Sequence, residues 1–264
     1  MRPLKDIQCF LLDMDGTFYL GNTLIEGARE FLETLNAQGK QFIFLTNNSS
    51  KNSTEYQKKL ENMECRVEKD RVFTSGEATT LYIKNEKPGA SIFLLGTPLL
   101  EHEFTEAGFK LTNNTDTMPD YVVLGFDTTL TYDKLWKACD LIRVGVPYIA
   151  THPDFNCPLE GGKFMPDTGS MIKLIEASTG VVPTVIGKPN RYIVDTLLEK
   201  YGLEKDDVAI VGDRLYTDIK TGENAGITSI LVFSGEATED MYIKSSIKAD
   251  YTFPSIKELM EAIR

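Results

Sequence analysis

Two carboxylates stand close together in Asp13-Met14-Asp15-Gly16-Thr17, directly after the apolar run Ile7 to Leu12. Ligands in an open parallel sheet sit beyond the carboxyl ends of strands, so a strand over that run would deliver both acids to one mouth. Asp15-Gly16 alone reads as a turn, but a turn gives no reason for a second negative charge at Asp13. Val208-Ala209-Ile210-Val211-Gly212-Asp213 repeats the arrangement of strand and then carboxylate, and Asp218 follows five residues later. Carboxylates gathered in one crevice repel each other unless a cation joins them. A hard divalent ion with oxygen ligands meets that need, and Mg²⁺ is the usual one that keeps waters and recruits a substrate phosphate. Asp218 also reads as a helix-start acid beside the positive end of the dipole, and the two roles are compatible.

Two further segments carry groups suited to an anion. Thr46-Asn47 offers a hydroxyl, an amide and backbone N–H groups, and Gly187-Lys188-Pro189 offers an ammonium. A lone lysine is ordinarily a solvated surface charge; here it ends an apolar run, and its charge would compensate the acids. Lys+Arg of 28 against Asp+Glu of 39 leaves a net charge of −11, so a phosphate can be held only where metal, lysine and backbone donors reverse the local field. The same field makes nucleic acid and anionic membranes poor partners. The longest aliphatic or aromatic runs, such as Phe42 to Leu45 and Ile92 to Leu95, fall far short of the roughly 20 residues of a bilayer span. The apolar run near the start ends in acids instead of small residues, unlike a signal peptide, and a cytoplasmic location is expected. Cys9, Cys65, Cys139 and Cys157 form no CxxC and are expected to be reduced thiols.

Positioning these groups requires strands that end together. Ile7 to Leu12 is the near-continuous apolar run of a parallel strand buried on both faces. Ala28, Phe31, Leu32 and Leu35 recur at helical spacing before Gly39, and Gln41 to Leu45 is apolar again, which makes a β-α-β unit with a right-handed crossover. In the last third, Thr184 to Ile186, Val208 to Val211 and Ser229 to Phe233 read as strands. Val194, Leu197, Leu198 and Tyr201 make a helix face, and Ile256 to Ile263 reads as a closing helix. Together they predict an open, mostly parallel sheet. Between the halves, Ser91 to Leu95, Tyr121 to Leu124 and Val146 to Ala150 predict strands. Leu135, Cys139 and Ile142, then Met171, Leu174 and Ile175, predict helix faces. About a hundred residues suffice for an inserted α/β domain with its own core. No GxxxxGK[ST] or GxGxxG is present, which argues against a nucleotide-binding loop.

The order DxDGT, strand-Thr-Asn, GKP and GDxxxTD resembles the haloacid dehalogenase superfamily. The insert, with Gly125-Phe126-Asp127 and Ala150-Thr151-His152-Pro153-Asp154, is similar to that of the NagD-like phosphatases. The resemblance covers almost the whole chain, and every motif acid is in place. It implies an α/β fold with an open parallel Rossmann-like sheet core, residues 1–76 and 183–264, and an inserted α/β cap domain, residues 77–182. It implies a phosphatase acting on small phosphorylated metabolites such as sugar, polyol or nucleoside phosphates. Asp13 is then the nucleophile that becomes an aspartyl-phosphate, and Asp15 the acid towards the leaving oxygen and the base towards water. Asp13 and Asp213 would bind Mg²⁺ by side chain, Asp15 by its backbone carbonyl, and Asp218 directly or through water. Thr46, Asn47 and Lys188 would bind the phosphoryl oxygens.

In this reading the cap excludes water and chooses the leaving group. His152, Asp154 and Asn156, after a cap strand, are candidates for facing the substrate, though His-Pro-Asp is equally a turn that binds nothing. His102 is expected on a helix surface and Trp136 in cap packing. Pairing of caps into a homodimer is a further implication of the resemblance. A mutase sharing the aspartyl-phosphate is the alternative within the enzyme class. A phospho-aspartate signalling module needs neither the long insert nor a second carboxylate of the Asp15 type.

Overall fold

The computed structural model describes residues 2–113 and 117–264, and the chain divides into two compact units. The first comprises the residues up to Thr46, Ser53–Phe73 and Lys188–Arg264; the second comprises Asn47–Asn52 and Thr74–Gly187. The strands are β1 (Cys9–Leu12), β2 (Tyr19–Leu20), β3 (Thr23–Leu24), β4 (Gln41–Thr46), β5 (Val72–Thr74), β6 (Ser91–Leu95), β7 (Lys110–Leu111), β8 (Tyr121–Leu124), β9 (Tyr148–Ala150), β10 (Asn156–Leu159), β11 (Lys163–Pro166), β12 (Thr184–Val185), β13 (Val208–Gly212), β14 (Thr228–Val232) and β15 (Tyr251–Phe253). The helices are α1 (Ala28–Ala37), α2 (Ser53–Asn62), α3 (Ser75–Glu86), α4 (Pro98–Glu106), α5 (Tyr132–Arg143), α6 (Thr168–Thr179), α7 (Tyr192–Tyr201), α8 (Lys220–Ala225), α9 (Glu239–Lys244) and α10 (Ile256–Ile263).

The first unit is built on a sheet of order β15-β14-β13-β1-β4-β5. Every residue of β1 and β13 is buried, which is why these strands read as unbroken apolar runs without alternation. β1 lies parallel between β13 and β4, with Leu12 opposite both Val211 and Phe44. Consequently the chain leaves β1, β13 and β4 at the same end of the sheet, at Asp13, Asp213 and Thr46. Ala28, Phe31, Leu32 and Leu35 of α1 are buried, as are Ile256, Leu259, Met260 and Ile263 of α10. Both helix faces close one core cluster with Phe10, Leu12, Phe44 and Val211.

The second unit has a parallel sheet of order β12-β9-β8-β6-β7 and a separate antiparallel pair, β10 and β11. Phe93, Leu95, Val122 and Leu124 pack there against Ala138, Leu141 and Ile142 of α5 and Ile172 and Ile175 of α6. One expectation is corrected here. The run Thr184 to Ile186 was assigned to the first sheet, but β12 pairs with β9 in the second unit, and Ile186 N–H and Gly187 N–H continue that pairing to Ala150 O and Thr151 O. Two residues, of which Thr184 is exposed, are too short to fill a central position, so they form an edge. Trp136 is likewise 58% exposed, and the packing role expected of it is not realised. His102 is on the surface of α4, with Nε2 3.5 Å from Glu106 Oε1. All four cysteines are free thiols, Cys157 half-buried and the others buried. Among the described residues, no helix is long and apolar enough to cross a membrane.

Candidate active site

Asp13 continues the β1 ladder by donating its N–H to Val211 O at 2.9 Å. Asp213 follows the last residue of β13, and Asp218 lies in a single wide π-type turn, Leu215–Ile219, that leads into α8. Such turns put one extra residue into a helical path and recur at functional sites. The three acids bring one carboxylate oxygen each to within 4.8 Å of one another. Oxygens on opposite sides of an octahedral Mg²⁺ stand about 4.2 Å apart, so this all-oxygen donor set fits a small hard dication. The space around it is shaped to that end. A Cβ on Gly16, whose φ is +89°, would stand 2.3 Å from Asp213 Oδ2, and one on Gly235 would stand 2.0 Å from the same atom.

The acids are buried to different degrees. Asp218 and Asp213 are 0% and 2% exposed, while the Asp13 side chain keeps 15%. Burial, then the neighbouring Asp13 and Asp218 charges, push the Asp213 carboxyl up to about 7. Burial likewise pushes Asp218 up to about 6, and Lys188 beside it offsets this only in part. Lys188 Nζ donates to Asp13 Oδ1 at 2.5 Å, to Asp218 Oδ1 at 2.6 Å and to Leu45 O at 3.2 Å. Desolvation alone would lower the Lys188 ammonium, but the two carboxylates outweigh it and its pKa rises. Both Asp218 oxygens are engaged, Oδ1 by Lys188 and Oδ2 by Arg214 N–H at 3.2 Å. Asp213 accepts Glu236 N–H at 2.7 Å on Oδ2 and the more distant Thr17 hydroxyl at 3.4 Å on Oδ1.

Asp15 sits in a tight loop in which Gly16 N–H donates to Tyr19 O, and Phe18 and Tyr19 N–H both donate to Met14 O. Its carboxylate is 60% exposed, with Lys59 Nζ 3.9 Å away. Partial desolvation raises its pKa, Lys59 opposes that, and Asp13 adds to it. This is the direction a proton donor near neutrality needs. Thr46 ends β4 and is 8% exposed.

The remaining sequence candidates fall in the second unit. Asn47 is 5% exposed, and its Nδ2 lies 3.1 and 3.2 Å from the two carboxylate oxygens of Asp154. His152 is completely buried, with Nε2 3.0 Å from Thr168 Oγ1 and Nδ1 without a hydrogen-bond partner. Its neighbour Asp167 has its carboxyl raised by burial, with His152 opposing. Asn156, the first residue of β10, is exposed. The structure therefore joins Asp13, Asp213, Asp218 and Lys188 in one cluster and Asn47 and Asp154 in a second, while His152 faces inward.

Residues 10–110 match the family model for haloacid dehalogenase-like hydrolases, and residues 185–259 match one described as HAD-hydrolase-like. An acid sugar phosphatase of Staphylococcus aureus is 40% identical over 260 residues, 98% of each chain. A 4-nitrophenylphosphatase of Thermotoga maritima is 50% identical, with a TM-score of 0.93 over 99% of each chain. A putative nagD protein is 49% identical at a TM-score of 0.90, covering 97% of this chain and 98% of its own. The chain belongs to the haloacid dehalogenase superfamily, as a NagD-like phosphatase. A glycerol phosphate phosphatase of Mycobacterium tuberculosis solved with magnesium is 27% identical, with a TM-score of 0.91 over 99% of this chain and 79% of its own.

Sequence reasoning missed several residues around the site of this phosphatase. Lys59 reaches Asp15 from α2 while its ammonium stands 3.8 Å over the Tyr19 ring. Arg214, whose pKa is raised by the three acids despite burial, pairs with Glu236 at 3.1 Å. Ser234 Oγ donates to Gly16 O at 2.8 Å and ties the Asp15 loop to the segment after β14. None of these carried a sequence signal of its own; Arg214 stands at one of the unspecified positions of GDxxxTD.

Proposed function

We propose that the chain hydrolyses phosphate monoesters of small metabolites in a Mg²⁺-dependent reaction through an aspartyl-phosphate on Asp13. The observation that carries this reading is the joining of Asp13, Asp213 and Asp218 within 4.8 Å at the carboxyl ends of β1 and β13, with Lys188 bonded to two of them. Asp13, Asp213 and the Asp15 backbone carbonyl would hold Mg²⁺, with Asp218 acting directly or through a water. Once bound, the ion neutralises negative charge on the acids and the phosphoryl group.

An Asp13 oxygen attacks phosphorus as the ester P–O bond breaks, and Asp15 gives its proton to the departing alcohol oxygen. Asp15 then removes a proton from water, whose oxygen attacks phosphorus while the bond to Asp13 breaks and inorganic phosphate leaves. Lys188, Thr46 and Asn47 bind the phosphoryl oxygens through both steps. The raised Asp15 carboxyl supports this double duty, because one group must be protonated in the first step and ionised in the second.

We assign catalysis to the first unit and the role of cap to the second. Leaving-group selection we place at exposed Asn156, with buried His152 supporting the segment, while Asp154 is engaged by the Asn47 amide. A homodimer through the second unit is supported by its exposed apolar residues, among them Tyr132, Trp136, Phe155 and Phe164. The acid sugar and nitrophenyl phosphatases among its relatives support sugar phosphates and aryl phosphates as first substrates. The test is phosphate release from a panel of sugar, polyol, nucleoside and nitrophenyl monophosphates with Mg²⁺ or with chelator. Release that requires Mg²⁺ is expected, and full turnover in chelator would overturn the reading.

A further inference from the structure

The loop that leaves β4 is stitched into the second unit. Ser49 Oγ shares a hydrogen bond of 2.9 Å with Thr151 Oγ1 and accepts Phe126 N–H at 2.9 Å. Thr97 Oγ1 donates to Ser50 O at 3.1 Å, and Ser75 Oγ donates to Asn47 O. At the head of this loop the Asn47 amide faces the Asp154 carboxylate, 3.1 and 3.2 Å from its two oxygens. Asp154 is itself held from behind, because Gly169 N–H donates to Asp154 O at 2.8 Å. A Cβ on Gly169 would stand 2.1 Å from Pro153 O, so this backbone passes the first turn of α6 with no room to shift. On the opposite flank a Cβ on Gly187 would stand 2.6 Å from Asn47 Oδ1. The amide nitrogen is therefore held by a carboxylate, and its oxygen lies where a side chain at position 187 would crowd it.

We propose that Asp154 is a positioning residue that fixes the plane of the Asn47 amide, and with it the direction in which that amide meets a phosphoryl oxygen. This rests on the functional reading that places Asn47 on the phosphoryl group. A carboxylate presents two acceptor oxygens to one amide N–H₂ group, here at 3.1 and 3.2 Å, and a prealigned donor loses less freedom when the ligand arrives. The phosphoryl group is common to all monoesters, so the effect of Asp154 is blind to the alcohol.

Five enzymes decide the matter: wild type, Asp154→Ala, Asp154→Asn, Asn47→Ala, and Asn47→Ala combined with Asp154→Ala. Inorganic phosphate serves as competitive inhibitor. Asp154→Ala is expected to raise the phosphate Ki and every substrate KM by a common factor of about 10, which is about 1.4 kcal/mol, without reordering substrates. Asp154→Asn, whose carbonyl still accepts from Asn47, should stay within about threefold of wild type. In the Asn47→Ala background the same Asp154→Ala change should add nothing, the non-additivity of two residues acting through one contact. A reordered substrate ranking, or an undiminished Asp154→Ala effect without the Asn47 amide, overturns the proposal. The Asn47 side-chain amide resonances give a readout independent of turnover. They should move in Asp154→Ala but little in Asp154→Asn, and if they do not move the clamp is refuted even in an active enzyme. If they move while wild type releases no phosphate, the functional reading fails and the clamp stands.

Discussion

Lys188→Met removes the ammonium that joins Asp13 and Asp218 while keeping an unbranched side chain of similar reach. Lys188 is 2% exposed, and its contacts at 2.5 and 2.6 Å end on carboxylates that are 15% and 1% exposed. Solvent can therefore do little to screen what is left behind. Removing one partner of a buried ion pair costs about 3–5 kcal/mol, because the surviving charge is stranded. At roughly 2–4 °C per kcal/mol for a domain of this size, the first unit should melt about 6–20 °C lower in chelator. A divalent cation supplies the compensation that Lys188 gave, and a ligand at 100 times its Kd adds about 2.7 kcal/mol. Mg²⁺ should therefore raise the melting temperature more in the variant than in wild type, while turnover should stay low if Lys188 binds the phosphoryl group as proposed. Differential scanning calorimetry of both proteins, with chelator and with saturating Mg²⁺, separates these effects. A variant melting within about 2 °C of wild type in chelator, or an equal Mg²⁺ response in both, would refute the view that Lys188 is the internal counter-ion of the acids.

Asp13→Asn should abolish release of phosphate while leaving the fold intact, since the amide cannot attack but fills the same volume; activity within a few fold of wild type sinks the assignment. Asp15→Asn should slow an alkyl phosphate far more than nitrophenyl phosphate in the first step, because only the alkoxide needs a proton. Equal losses measured by rapid quench would make Asp15 a structural residue. The raised carboxyls of Asp213 and Asp218 fix a sign for pH dependence without metal. The folded state keeps protons there that the unfolded chain has released, so this stabilisation is complete below pH about 4 and is lost as pH rises through about 6 and about 7. Melting temperatures in chelator should show that decline, flattened in Asp213→Asn, and saturating Mg²⁺ should reverse it by favouring the ionised form. A wild-type profile no steeper than that of Asp213→Asn would contradict the assignment.

The three strands that carry Asp13, Thr46 and Asp213 were legible because burial on both faces leaves an uninterrupted apolar run that ends where the acids begin. The edges were not. β12 is only two residues, Thr184 exposed and Val185 half-buried, and β10 and β11 each contain a proline and are largely exposed, so none of them leaves a periodic signature. The site divides in the same way. Carboxylates at strand ends are local features, visible once the strand is recognised. The approach of Lys59 to Asp15 and of Asn47 to Asp154 is tertiary, made between residues far apart in sequence, and single residue types of this kind announce nothing. Sequence left two readings of His152 open, a reader of ligands or a turn residue that binds nothing, because burial is not written beside it; the side chain is completely buried with its Nε2 at Thr168 within the second unit.

The second unit enters the chain twice, as the six residues Asn47–Asn52 and again as Thr74–Gly187. Exchange of the second unit between relatives is therefore not a matter of swapping one contiguous cassette. A chimera that imports only the long segment retains a foreign 47–52 loop, whose Ser49 must find Thr151 and the Phe126 N–H and whose Asn47 must find Asp154. The short segment is also the direct continuation of β4 beyond Thr46, so its sequence answers to two masters: the sheet that ends in it and the unit that receives it. Recombination, whether in evolution or at the bench, is constrained to carry both pieces together, and variation in the insert is free only where it leaves these few polar contacts intact.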